Sequence, residues 1–148
     1  MHKIIIPILL FVFIAGMAKG VSDTLQFHYG TSVFSSFQNE QWWNPEVSWK
    51  NKYRDYDNGD NREAYLLSRS LLVWRTDAWH LAQTIETGAW VLAVLFAIRL
   101  GYWRRITQSR EGGEGGWFGG MHVARFFCAS ILVFYIGFLA LYGWLLLS

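Results

Sequence analysis

The chain has 148 residues, of which 53% are hydrophobic, 18% aromatic and only 16% charged, with a formal net charge of +2. That charged fraction is well below the usual quarter, and nine tryptophans are a heavy aromatic load for a soluble domain. So weak a positive balance, without a long basic run, speaks against nucleic acid as a partner. One cysteine, Cys128, allows neither an internal disulfide nor a thiolate zinc site, and it reads as a small buried hydrophobe.

Met1-His2-Lys3 is a short basic start, and Ile4 to Ala18 is apolar. Alone, that stretch has the length of a signal-peptide core, and Ala18-Lys19-Gly20 supplies small residues for cleavage. Continued through Lys19 to Leu25, it is long enough to cross a bilayer. The expected element is an uncleaved signal anchor over 4–25, with Pro7 tolerated near its start.

Residues 26–75 form a Trp-rich segment. Trp42, Trp43, Trp49 and Tyr53 suit the membrane–water boundary, because their rings are apolar and their tips hydrogen-bond. Asn44-Pro45-Glu46 reads as a helix start, with an Asn cap, Pro at the first position and an acid at the positive end of the dipole. On that helix Trp49, Tyr53 and Tyr56 share a side. Asp55-Tyr56-Asp57-Asn58-Gly59-Asp60 reads as a turn. It lacks the calcium-loop pattern, since its glycine falls one place early and Leu66 stands where the closing glutamate belongs. Ala64, Leu67, Leu71 and Trp74 recur at helical steps with Arg62, Arg69 and Arg75 between them, so an amphipathic interfacial helix is expected.

The second span is expected over 76–103, with Trp79 at one end and Tyr102-Trp103 at the other. Ala89, Ala93, Ala97 and Gly101 lie four apart and form a ridge for close helix packing. Extended backward, the ridge reaches Glu86, Ala82 and Ala78. Residues 104–120 hold Arg104, Arg105 and Arg110, then a glycine-rich run without the lysine and serine of a phosphate loop. They read as a flexible cytoplasmic linker. The third span is expected over 121–147, with His2 and His122 solvated on the cytoplasmic side. The basic bias of the chain start and of 104–120 puts both in the cytoplasm and residues 21–75 outside.

The sequence therefore predicts a single all-α integral membrane domain: three transmembrane helices, and an extracytoplasmic segment with short interfacial helices. The order DTLQFHY, WWNPEVSWKNKY, TDAWHLAQ, over about residues 20 to 90, resembles a family of small uncharacterised bacterial membrane proteins. The resemblance implies a bacterial membrane protein and brings no activity with it; the expected location is the bacterial inner membrane.

Asp23, His28, Asp77 and His80 are the candidate site, because carboxylates and imidazoles ligate divalent metals and a His–Asp pair does acid–base work. Asp77 can also simply cap its helix with Thr76. Lys19 lies about 22 Å along the first helix from Ile4, and Glu86 about 10 Å inward from Trp79, at 1.5 Å per residue. These depths match, so an intramembrane Lys19–Glu86 pair is expected, with Lys19–Asp23 as the rival. The leading functional expectation is a non-enzymatic membrane subunit or scaffold, packing with a membrane-protein partner or as a homo-oligomer through the alanine ridge. An enzyme acting on a lipid head group or envelope substrate through the Asp/His set is the alternative. Ion or proton transport past Glu86 is the third.

Overall fold

A computed structural model describes residues 2–111 and 118–147, with side chains over 5–101 and 125–144. The glycine-rich linker at 112–117 and the side chains of His2, Tyr102, Trp103, Arg104, Arg105, Arg110 and His122 lie outside the described residues. The protein is mostly helical. In chain order it has α1 (His2–His28), α2 (Glu40–Trp43), α3 (Pro45–Ser48), strands β1 (Tyr53–Asp55) and β2 (Asp60–Glu63), α4 (Ala78–Glu111) and α5 (Phe118–Leu147). Three segments are long and apolar enough to cross a membrane: Ile5–Thr31, Ala78–Gly101 and Arg125–Trp144. Helix α4 continues past the expected end at Trp103 to Glu111, into the region read as a linker.

Helix α1 is the centre of the bundle. Helices α4 and α5 each pack along it and have little contact with one another, Trp90 and Phe134 being one such pair at 5.6 Å between ring centroids. Ile8 and Val12 of α1 cluster with Ala93 and Leu100 of α4, and Leu25 clusters with Ala78 and Phe34. The side toward α5 is built from missing side chains. A Cβ on Gly16 would overlap the Phe134 carbonyl, one on Gly20 would sit 2.9 Å from the Phe138 carbonyl oxygen, and one on Gly137 2.5 Å from that of Phe13. The polar groups of α1 are satisfied locally. Thr24 and Ser22 donate to the Gly20 and Lys19 carbonyls at 2.7 and 3.0 Å, so neither buried hydroxyl is left unpaired.

The cap joins the end of α1 to the start of α4. As the sequence indicates, Asn44 starts α3: its side chain accepts from Glu46 N–H at 3.0 Å, with Pro45 at the first helical position. The helix is one turn long, and the chain then enters an antiparallel hairpin that the all-α expectation did not contain. Tyr53 pairs with Glu63 and Asp55 with Asp60, around a turn closed by Gly59 at φ +82°. A left-handed residue after Asn58 is what such a turn requires. The expected amphipathic helix over 64–75 is also absent. Leu67 sits at φ +61°, which no α-helix accommodates, and the segment is a run of turns ending in a short 3₁₀ turn at Val73–Arg75. Its apolar residues remain outward: Leu66 and Leu71 are more than 70% exposed.

Side chains tie the cap to the spans. Asn51 donates to the Gln41 and Thr76 carbonyls at 2.6 and 2.8 Å, and Ser68 to the Lys52 carbonyl at 2.7 Å. Trp43 stacks on Phe34 at 5.1 Å and meets Phe37 edge-on at 5.2 Å. Trp49, Tyr53 and Tyr56 do form one ring cluster, though across a turn and a strand and not along a helix. Lys52 lies over Trp49 and Tyr53, and Arg69 over Tyr53. Cys128, expected buried, is exposed on α5.

Candidate functional site

Asp77 immediately precedes α4 and is buried. Its Oδ1 accepts the His80 backbone N–H at 2.9 Å, which is an N-cap bond that satisfies one orphan donor of the first turn. Its Oδ2 accepts from the Thr76 hydroxyl at 2.8 Å and holds His80 Nδ1 at 2.6 Å. The carboxylate thereby fixes the orientation of the imidazole, with Nδ1 turned toward Asp77. Burial pushes the Asp77 carboxyl up, but the bonds from the His80 ring, the His80 N–H and Thr76 outweigh it, so the group lies below the ordinary carboxylate range. His80, Asp77, Lys52, Ser48 and Gln26 border a cavity of about 310 Å³, together with Trp79. The Trp79 Nε1–H is buried and has no hydrogen-bond partner among the described residues.

The four expected ligands are not gathered into one sphere. Asp77 and His80 meet. Asp23 binds Lys19, and the His28 ring lies edge-on to Tyr142 with centroids 5.6 Å apart. Among the described residues, no group of three or more His, Cys, Asp or Glu side chains could hold a metal ion. Sequence spacing supplies the i, i+3 pair, whereas bringing in His28 and Asp23 needs helix rotations that α1 does not have.

The Lys19–Glu86 pair is corrected in the same way. Lys19 Nζ bonds Asp23 Oδ1 at 2.7 Å, four residues along its own helix. That partner is held in reach by the helix itself, while Glu86 belongs to another helix. Glu86 is half-buried on α4, within the field of Lys19 and Asp23, and makes no hydrogen bond or salt bridge among the described residues. The small-residue ridge is split. Ala78, Ala82, Ala89 and Ala93 are buried, whereas Ala97 and Gly101 are exposed, and a Cβ on Gly101 would meet nothing within 4 Å among the described residues. Of the boundary aromatics, Trp42, Trp43, Trp49 and Tyr53 are all half-buried in the cap.

The closest helix approach was not anticipated from the sequence. Gly16-Met17-Ala18-Lys19-Gly20 is a small-xxx-small motif of the kind that lets two membrane helices touch backbone to backbone. The spacing is visible in the chain, inside the stretch weighed as a cleavage site. No protein-family model, curated protein or solved structure matches this chain.

Proposed function

We propose that the protein is a non-enzymatic membrane subunit or scaffold, a three-helix anchor that holds a braced aromatic cap at one membrane face. The observation that carries this reading is the state of the candidate chemical groups. Asp23 is tied to Lys19, Asp77 caps α4 and fixes His80, and His28 packs on Tyr142. Each has a structural task, while Leu66, Leu71 and Trp74 face outward beside Arg69 and Arg75. In this proposal α1 is a retained anchor, residues 21–75 are extracytoplasmic, and the membrane is a bacterial inner membrane, in keeping with the family resemblance and the arginine bias. The cap then presents its leucines to a membrane-protein partner. The test is native gel electrophoresis of gently solubilised membranes. The chain should migrate in an assembly larger than itself, and Leu66→Glu with Leu71→Glu should release it. Migration as a lone chain before and after the substitutions rejects the scaffold.

A second reading is supported by one feature. His80, oriented by Asp77, borders the same cavity as Ser48 and Lys52, which is how a general base is placed next to a substrate. An envelope hydrolase of this type would lose its turnover in His80→Gln while its assembly stays intact.

A further inference from the structure

A second cavity of about 310 Å³ lies where α4 and α5 diverge on either side of α1. Its floor is Met17 and Val21 of α1, its walls include Leu81 and Ile85 of α4 and Leu141 of α5, and its roof is Trp42 and Trp43. Every lining side chain is apolar. We infer that this cavity takes one acyl chain of a bilayer phospholipid, inserted beneath the two tryptophans.

Size and chemistry choose the occupant. The walls fall far short of the roughly 800 Å² per partner that a stable protein interface needs. A polymethylene chain is narrow enough, needs no polar partner, and is the most abundant apolar species between membrane helices. The space does not close by collapse of its roof, because Trp43 is locked between Phe34 and Phe37. Met17 is unbranched and adapts to a flexible guest. Gln41, one residue before the roof, borders a groove that carries Arg54, a Lys50 already paired with Asp57, and the further acids Glu40 and Asp55. A zwitterionic head group finds both of its signs matched there.

The inference rests on the membrane placement proposed above, not on the scaffold role. The experiment is native mass spectrometry of the full chain in mild detergent, supplied with palmitoyl-oleoyl phosphatidylethanolamine. Wild type should retain one lipid per chain. Ile85→Trp and Met17→Phe fill the cavity and should each weaken retention at least fivefold, while Ile98→Trp, on the outward side of α4, should leave it unchanged. Met17→Phe puts a rigid ring in place of a flexible chain, adds less bulk than Ile85→Trp, and guards against misfolding of the larger replacement. Equal retention in all four proteins, or none in wild type, overturns the inference. A wild-type dimer that Ile85→Trp disrupts would give the cavity to a second copy and overturn it too. Recovery of the chain from the soluble fraction would reject the membrane placement itself.

Discussion

Helix α1 is bound on two sides by different means. Toward α4 it meets alanines through side chains: Ile8 and Val12 cluster with Ala93, and Leu25 with Ala78. Toward α5 it meets main chain, because Gly16, Gly20 and Gly137 have no side chain to hold the helices apart. The first seam can yield by repacking a side chain. The second can yield only by moving a backbone. On the membrane placement proposed above, apolar burial between helices gains little and close approach is itself the source of attraction, so the glycine seam should be the more fragile.

The largest expected effect follows directly. Gly16→Leu should destabilise the bundle by more than the about 1–3 kcal/mol of ordinary overpacking, read as the midpoint of detergent-induced unfolding. On the other seam, Ala93→Leu should stay within about 1–3 kcal/mol. Leu92→Ala, on an exposed position of the same helix, should stay within about 0.5 kcal/mol. If Ala93→Leu equals or exceeds Gly16→Leu, the distinction between the seams is lost.

The charges of α1 sharpen the comparison. Exchanging Lys19 and Asp23 should retain most of the stability lost in either single reversal, because the pair closes within one helix. Exchanging Lys19 and Glu86 should recover nothing. Recovery in the second exchange and not the first would restore the interhelical pair.

At the cap, Asp77→Ala should cost about 0.5–2 kcal/mol as a lost N-cap. The folded carboxyl titrates below its unfolded value. Its stabilisation is therefore complete above the ordinary carboxylate pKa of about 3.9, and is lost as pH falls through the lower folded value. Unfolding midpoints should drop in that acid window for wild type, and less for Asp77→Ala. The smallest effect belongs to the hairpin. Arg62 holds the Asp60 carboxyl down to about 2, on the surface. Arg62→Ala should return that carboxyl toward the ordinary range in an NMR titration and leave the unfolding midpoint almost unchanged.

The long helices were legible because membrane spanning is a matter of length and apolarity, which one chain displays in full. The Asp77–His80 pair was legible for a related reason, since it follows from spacing along one helix, whereas the α4 ridge was legible only in part: Ala89 and Ala93 are buried, Ala97 and Gly101 exposed. The hairpin was not, since β1 and β2 are polar, short and exposed and show no alternating pattern. The turns at 64–72 escaped because Ala64, Leu67, Leu71 and Trp74 keep helical spacing while Leu67 takes a backbone angle that periodicity cannot reveal. His28, Asp23 and Glu86 were misplaced wherever the reading needed the rotation of one helix against another.

The central position of α1 also has a consequence in time. Its glycine face finds its match only in α5, which begins at Phe118, ninety residues after α1 ends at His28. At about 5–20 residues per second, translation leaves that face without its partner for roughly 5–20 seconds. On the membrane placement proposed above, the nascent α1 presents bare backbone to the bilayer during that interval. Until α5 arrives, Gly16 and Gly20 have no backbone of their own chain to close against.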